Sequence, residues 1–272
     1  MDNVDGNCIS SQNKDDDDHD SLVKSRNIYQ NQLINTPTEI HATHYNMNHK
    51  NRGLALIFNH EKFEFHSTRK GTSIDYLEYV DIQAQIVRTS KLNHSDYDCL
   101  LVVVLSHGDH GILYAKDTAY KPETLWSSFT VDKCPTLAGK PKLFFIQACQ
   151  GDSLDSGVTL VSRIQFDGYP NLDTYAIPLD IQTDFLVVYS TFPGYYSWRN
   201  PDRGSWFIQA LCAELSENGY VYDLLTILTF VNRRVAIDYE SNVPGNDLMD
   251  KQKQIPCINS MLRRLVRFNK KF

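Results

Sequence analysis

Two residues able to do chemistry, Cys149 and His107, each follow a short run of apolar residues. Cys149 comes after LFFI at residues 143–146, and His107 comes after CLLVVVL at residues 99–105. Such continuous runs are too short for a core helix and are typical of strands buried on both faces of a parallel sheet. The carboxyl ends of adjacent parallel strands meet at one edge of the sheet, where ligands bind. The sequence therefore predicts that Cys149 and His107 lie together, although 42 residues separate them.

A cysteine beside a histidine can act as a nucleophile. A nearby imidazolium favours the reactive thiolate, and the same ring can protonate a departing amine. Gly108 has no side chain, so its backbone N–H could approach a tetrahedral oxyanion, with the N–H of Cys149 as the second donor. The alternative for Cys149 is a small buried hydrophobic residue, as most free cysteines are. The His-x-x-His spacing of His107 and His110 lacks a third ligand, so we expect no metal.

The length, net charge and cysteine content of the chain limit the classes of protein to which it can belong. Its 272 residues are enough for one large domain with a full core. A net charge of −6 argues against a nucleic-acid surface. The six cysteines show no paired spacing, which indicates free thiols in a reducing compartment. The N-terminus has no apolar signal segment and no stretch approaches the length of a membrane span, so we predict a cytoplasmic protein that does not bind membranes.

Several motifs, in order along the chain, resemble those of one protease family. Gln-Ala-Cys-Gln-Gly at residues 147–151 resembles the caspase signature. Arg69 begins an Arg-x-Gly-Thr pattern, Ser106 begins Ser-His-Gly, and residues 194–200 read GYYSWRN, all of which resemble caspase segments. The resemblance spans residues 45–268. It implies an α/β protein with the three-layer α/β/α caspase-like fold, whose sheet is mostly parallel with one antiparallel C-terminal strand.

The resemblance also implies roles for individual residues. Cys149 would attack a peptide carbonyl, His107 would protonate the departing amine, and no cofactor would be needed. Arg69, Gln147 and Arg199 would hold the carboxylate of a substrate aspartate, which two forked guanidinium groups suit well. The loop that pairs with substrate as an added strand, a common mode of peptide recognition, would supply the remaining substrate-binding residues, Tyr196, Ser197, Trp198 and Asn200.

One segment departs from the family pattern. Only 26 residues separate Thr72 from Cys99, which is room for one helix where the family has a helix, a strand and a second helix. We predict that helix over residues 74–92, with Ile74, Leu77, Val80, Ile82 and Ile86 on its apolar face. One helix and one edge strand of the family are then missing, which leaves an uncovered face and a bare sheet edge. We expect reduced stability or solubility, with a melting temperature below about 60 °C.

The other elements are predicted from periodicity and turn residues. Strands are expected over residues 53–59 and 185–191, and a short helix over 123–129. Helices are expected over 205–218, with Ser205 as N-cap and Gly219 as C′ residue, and over 223–239. The loop at 240–254 lacks the aromatic residues that effector caspases place there. The preference for the substrate residue four positions before the cut is therefore not predicted. The last strand, expected from residue 254 to about 268, would pair with its twin in a homodimer.

The resemblance further implies proteolytic maturation. Residues 1–44 are polar, contain the acidic run 15–18 and are predicted to be a disordered propeptide, cut after Asp20. The catalytic domain then covers residues 45–272, with a large-subunit part at 45–167 and a small-subunit part at 185–272. The polar stretch 152–184 reads as an exposed linker. Within it, cleavage is expected after Asp167, with Asp173 as second choice.

The prediction is an effector caspase of apoptosis that cuts proteins after aspartate. Expected partners are proteins with exposed aspartate sites, an upstream initiator caspase, inhibitor of apoptosis proteins, and a second large/small subunit pair in a homodimer. A rival hypothesis is a caspase-shaped protein that has lost activity through the missing elements and regulates an active relative by dimerising with it. A flavodoxin-like ligand binder would explain the sheet, but neither the Cys/His pair nor the arginines.

Overall fold

A five-stranded sheet lies at the centre of the protein, with its strands in the order β1-β2-β6-β7-β10. The computed structural model describes residues 36–39, 41–69, 77–157, 183–200 and 203–271. The first four strands of the sheet are parallel, and the last is antiparallel to its neighbour. The bounds of these strands are β1 Asn51–Asn59, β2 Tyr97–Leu105, β6 Lys142–Gln147, β7 Phe185–Tyr189 and β10 Cys257–Ser260.

Short strands and helices complete the described part of the fold. A three-stranded sheet consists of β3 Gly108–Asp109, β4 Ile112–Tyr114 and β5 Ala119–Tyr120, and β8 Arg199–Asn200 pairs with β9 Gly204–Ser205. The helices are α1 Tyr79–Ser90, α2 Trp206–Asn218 and α3 Leu224–Asp238, with 3-10 turns at Pro122–Leu125 and Pro135–Leu137. No helix in these described ranges is long and apolar enough to cross a membrane.

Helices cover the sheet on both faces because its strands are apolar on both faces. On β6, Phe144 and Ile146 join one core, which contains Ile82 and Ile86 of α1. Leu143 and Phe145 join the other core, which α2 and α3 cover. This alternation along one continuous apolar run is the pattern of a strand buried on both sides. The predicted three-layer arrangement is confirmed.

The β1 end of the sheet is less well covered than its centre. β1 is the terminal strand, and its exposed Ala55 and Ile57 stand opposite Leu101 and Val103 of β2. Ile57 is 60% exposed, and Leu101 and Val103 are only partly buried. These residues lie on the face that α2 and α3 cover further along the sheet. Among the described residues, this end of the sheet therefore has the exposed apolar surface predicted from the shortened segment, and β1 pairs with β2 alone.

The helices begin and end differently from the prediction. α1 is shorter than the predicted helix over 74–92, and Val80 points outward at 62% exposure because it lies off the buried face of Ile82 and Ile86. The expected helix over 123–129 is a 3-10 turn at Pro122–Leu125. Ser205 occupies the N-cap position of α2 without a side-chain capping bond. Gly219 has a right-handed φ of −60°, so no left-handed cap ends this helix.

Asp184 corrects the prediction of an exposed linker over 152–184. It is 1% exposed and accepts hydrogen bonds from the Arg263 guanidinium at 2.9 Å and from the Tyr45 hydroxyl at 2.8 Å. Asp184 thus anchors the start of β7 to the C-terminal segment. That segment does not continue the sheet as expected, since β10 ends at Ser260. The predicted cleavage sites Asp20, Asp167 and Asp173 lie outside the described residues, as does Ile74.

Candidate active site

The ends of β2 and β6 bring His107, Gly108 and Cys149 together. The two strands are parallel neighbours with Leu105 opposite Gln147. Beyond them the backbones nearly touch, because a Cβ atom at Gly108 would lie 2.5 Å from the carbonyl oxygen of Cys149. No side chain fits at that distance. Glycine at position 108 is what allows this approach.

The His107 ring is held by the loop that follows β1. Its Nε2 donates to the carbonyl oxygen of Ser67 at 2.8 Å, which leaves Nδ1 as the acceptor in the neutral ring. Burial lowers the pKa of His107, and the positive charges of Arg69, His66 and Arg199 lower it further, against the opposing effect of the Ser67 hydrogen bond. At neutral pH the ring is therefore uncharged and able to take up a proton.

The Cys149 thiol is bound to the loop beyond β7. Its Sγ accepts from the backbone N–H of Ser197 at 3.4 Å and lies 3.8 Å from the Ser197 carbonyl oxygen. Among the described contacts there is no hydrogen bond between Cys149 Sγ and His107. Burial raises the pKa of Cys149, while the Ser197 N–H and Arg69 act in the opposite direction. The thiol is therefore protonated in this state.

Two arginines and a glutamine form a polar pocket beside Cys149. Arg69 is 3% exposed, and its Nη1 donates to the carbonyl oxygen of His60 at 2.7 Å. Burial, and then the positive charge of Arg199, lower the pKa of Arg69 to about 10. Gln147 ends β6 and donates through Nε2 to Ser197 Oγ at 2.8 Å, whereas its buried Oε1 has no hydrogen-bond partner. Arg69 and Arg199 bring two forked guanidinium groups close to Cys149, an arrangement that suits a carboxylate.

Serine hydroxyls link the strand that carries the cysteine to the loop beyond β7. Ser197 Oγ lies 2.8 Å from Ser190 Oγ, and Ser190 Oγ donates to the Ala148 carbonyl oxygen at 3.0 Å. Ser190 also accepts from the Ala148 N–H at 3.3 Å. The sequence analysis did not identify Ser190, because a serine at the end of an apolar run carries no signal of its own. Its side chain joins two separate segments, the residues just after β6 and the loop beyond β7.

Aromatic rings wall the side of the site formed by residues 194–200. The rings of Tyr196 and Trp198 meet edge to face at 5.0 Å, and Trp198 stacks on Trp206 at 5.7 Å. The backbone N–H of Trp198 donates to Gln254 Oε1 at 2.6 Å. No sequence pattern indicates this role for Gln254, which lies where the predicted outer loop meets the predicted last strand. Asn200 accepts from the Arg203 N–H at 2.9 Å and so closes the turn between β8 and β9.

Gly151 is a further residue that the geometry requires. A Cβ atom there would lie 2.4 Å from the carbonyl oxygen of Gly194. The two loops are joined by hydrogen bonds between Gln150 and residues 194 and 195, at 2.8 and 3.0 Å. The signal for this contact was present in the sequence as the glycine of Gln-Ala-Cys-Gln-Gly. Among the residues that the structure describes, no three His, Cys, Asp or Glu side chains are arranged to hold a metal ion.

Comparisons with known proteins agree with this geometry. A family model described as "Caspase domain" matches residues 74–267. The chain belongs to the caspase family. It is 52% identical to caspase-1 of Spodoptera frugiperda over 94% of this chain and 91% of the relative, and 51% identical to caspase drICE of Drosophila melanogaster over 89% and 77%. The crystal structure of the Spodoptera protein covers 88% of this caspase at 50% identity, with a TM-score of 0.79.

Membership of the family carries the general activity. The chain is a cysteine-type endopeptidase of the apoptotic, effector-type group, which acts on proteins and has a dimeric organisation. The alignment with Spodoptera caspase-1 also bears on the shortened segment. It spans 276 residues, whereas 94% of this 272-residue chain is about 256. The relative therefore has about 20 residues that this caspase lacks, which agrees with the size of the missing helix and strand.

Proposed function

We propose that this caspase cleaves proteins after aspartate, with Cys149 as nucleophile, and that it is made as a zymogen activated by cleavage in its own linker. The observation that carries the specificity is the pair of guanidinium groups beside Cys149, those of Arg69 and Arg199. Arg69 is close enough to both Arg199 and Cys149 for their charges to affect its pKa, and two forked guanidinium groups suit a carboxylate.

The geometry at Cys149 supports the chemical step. His107 has an uncharged ring with Nδ1 available, so it takes the thiol proton as Sγ attacks the substrate carbonyl carbon. The new C–S bond turns the carbonyl oxygen into an oxyanion, which the backbone N–H groups of Gly108 and Cys149 stabilise. The imidazolium then gives its proton to the amine as the C–N bond breaks. Water, deprotonated by the same ring, hydrolyses the acyl-enzyme and restores the thiol.

The pocket residues support an aspartate preference. A short carboxylate would lie between Arg69 and Arg199 and relieve the repulsion that lowers the pKa of Arg69. With its amide turned around, Gln147 would accept from Ser197 Oγ and direct its NH₂ group to the same carboxylate. A neutral side chain would bring no negative charge to these two cations, and the loss of a buried ion pair costs about 3–5 kcal/mol. Tyr196, Trp198 and Asn200 would line the path of the residues before the aspartate.

Maturation completes the proposal. Cleavage after Asp20 would release residues 1–20 of the N-terminal tail, and cleavage after Asp167, or after Asp173, would separate a large part at 45–167 from a small part at 185–272. An initiator caspase would make these cuts in the cytoplasm, where free cysteines persist. Inhibitor of apoptosis proteins are the expected antagonists. The outer edge of β10 is the last in the sheet and is the expected site of pairing with a twin.

Two observations favour the alternative, a regulator that dimerises without cutting. Among the described contacts, Cys149 is bound to Ser197 and not to His107, and burial raises its pKa so that the thiol is protonated. The described part of the β1 end also leaves Ile57 exposed. If linker cleavage did not release Cys149 from Ser197, the chain would keep the caspase shape without turnover.

A peptide series separates the two functions. The full chain is treated with an initiator caspase until mass spectrometry shows cleavage after Asp167, and then given fluorogenic tetrapeptides that end in Asp, Glu or Asn. We expect turnover of the Asp peptide alone, none with Cys149→Ala, and a kcat/KM lowered by roughly 100-fold or more with Arg69→Met, equivalent to about 3 kcal/mol. Arg203→Met, an exposed arginine outside the pocket, is the matched control and should retain activity.

Two results would change the conclusion. Equal turnover of the Asp and Asn peptides would exclude the carboxylate pocket. A folded, cleaved dimer that turns over no peptide would establish the regulator instead.

A further inference from the structure

The carbonyl oxygen of Ser67 is the hydrogen-bond acceptor that orients the His107 ring. The bond from His107 Nε2 measures 2.8 Å, and no second hydrogen bond from this ring occurs among the described contacts. The direction in which Nδ1 faces Cys149 therefore depends on where the loop of residues 60–69 lies. Ser67 is exposed, so burial does not fix that position. The loop is joined to the rest of the protein at Glu64, whose N–H donates to the Lys116 carbonyl oxygen at 2.9 Å, and at the buried Arg69. Between these two points, a contact beside Ser67 would hold its carbonyl oxygen against His107.

The ring of His66, next to Ser67, provides that contact. Its centroid lies 3.9 Å from that of Tyr114 and 5.7 Å from that of His107. Phe63 packs on the other side, 6.3 Å from His66 and 4.8 Å from His107. We call Phe63, His66, His107 and Tyr114 the ring cluster. His66 is its central member, since it contacts the other three rings.

Tyr114 connects the ring cluster to the backbone that carries His107. Its N–H donates to the carbonyl oxygen of His107 at 3.1 Å, and its own carbonyl oxygen accepts from Ser106 Oγ at 2.5 Å. β4 thus holds the backbone of His107, while the ring of Tyr114 packs on His66. Tyr114 therefore restrains the His107 backbone directly, through a hydrogen bond, and the His107 imidazole indirectly, through the ring of His66.

We propose that His66 is a positioning residue for the reaction, whose ring, packed between Tyr114 and His107, fixes the Ser67 carbonyl oxygen against His107 Nε2. This inference rests on the proposed function. A histidine at this position adds an electrostatic effect, because a charged His66 opposes a charge on His107. The titratable and charged groups around His107 are His66, Arg69, Tyr114, Cys149 and Arg199.

Three variants of the cleaved enzyme test the proposal. His66→Ala removes the ring, His66→Phe keeps a ring that cannot be charged, and Phe65→Ala changes the neighbouring residue, which is 78% exposed and makes no described ring contact. We expect His66→Ala to lower kcat by roughly 10- to 100-fold with KM unchanged, because a small displacement of a catalytic group has that effect. His66→Phe should recover most of kcat, and Phe65→Ala should match the parent. All four proteins should melt at the same temperature, since both side chains are exposed.

The pH profile provides a readout that a purely structural role would not change. Both His66 variants remove a positive charge near His107, so its pKa should rise and the acid limb of kcat/KM should move to higher pH. Unchanged kcat and an unchanged acid limb in His66→Ala would overturn the proposal.

A second measurement does not depend on turnover. In Cys149→Ala protein, NMR titration of the His107 ring should give a higher pKa with His66→Phe, and the Nε2–H resonance should weaken with His66→Ala. An unaltered His107 titration and an unaltered resonance would overturn the positioning role even if no peptide is cleaved. If the parent turns over no peptide but these NMR changes occur, the proposed function fails while the ring cluster stands.

Discussion

The central strand β6 and the outer strand β1 of the same sheet differ in how well they are covered. At the centre, β6 is covered on both faces, so that all six of its residues are buried. At the β1 end, three of the nine residues are exposed, and Ile57 is 60% exposed. Both strands are similarly apolar. The difference lies in what packs on them, since the core that α2 and α3 cover includes Leu143 and Phe145 of β6 but no described residue of β1.

This contrast divides the active site as well. Cys149, His107 and Arg199 follow the covered strands β6, β2 and β7, whereas Ser67 and Arg69 lie in the loop after the more exposed strand β1. The cost of the shortening falls on the β1 end, where apolar area stays in water at about 25 cal/mol per Å². A melting temperature below about 60 °C stays a prediction of this chain.

Matched isoleucine truncations in β6 and β1 should give the largest difference in the free energy of unfolding. Ile146→Ala in β6 empties a space in a closed core, where Ile146 is 1% exposed, and should lower the free energy of unfolding by about 2–5 kcal/mol. Ile57→Ala in β1 should change it by about 0.5 kcal/mol or less. Urea unfolding of the Cys149→Ala protein measures both. Equal losses would mean that the β1 end is covered in solution.

The buried Lys142 of β6 should also make the free energy of unfolding depend on pH. Its Nζ donates to the carbonyl oxygens of Leu137 and Lys140, and burial lowers the pKa of Lys142 to about 8. Between this value and the ordinary value of 10.5, the unfolded chain binds more protons than the folded one, so stability rises with pH. The rise over this window should be about 3 kcal/mol for this group.

Lys142→Met should flatten that rise when urea unfolding is followed at pH 8, 9 and 10. Lys91→Met, which changes an exposed lysine just after α1, is the control and should keep the parent slope. A Lys142→Met protein with the full parent slope would show that the proton is released elsewhere.

The smallest effect on stability, but a visible one on solubility, is expected at the bare edge. Ile57→Lys places a charge on the uncovered face of β1, where natural edge strands carry lysines against association. The free energy of unfolding should change by about 0.5 kcal/mol or less, while the soluble fraction after heating increases. Ile237→Lys on α3 is the matched control, since Ile237 is 69% exposed but lies away from the edge. Equal gains from both variants would mean that charge alone matters.

Sequence analysis succeeded where neighbouring residues dictate structure. Runs such as LFFI before Cys149 are apolar in every position, and only a strand covered on both faces buries such a run. The pairing of the strand before His107 with the strand before Cys149 was also predicted, because parallel neighbours bring their carboxyl ends together. The exposed surface at the β1 end was predicted by comparing the 26 residues between Thr72 and Cys99 with the longer segment of the family. Three predictions were wrong: Val80 on the buried face of α1, a helix over 123–129, and a last strand that continues to about residue 268. Short elements and their ends depend on packing partners far away in the chain.

The chain by itself therefore determined its family, its layers and which residue types gather at the edge of the sheet. Tertiary structure alone decided how they are held: Ser67 on His107, Ser190 and Gln254 behind the cysteine, and the burial of Arg69. The physical reason is that such contacts join polar atoms from segments tens of residues apart. Each of these residues is ordinary in its own surroundings, and only folding gives it a partner.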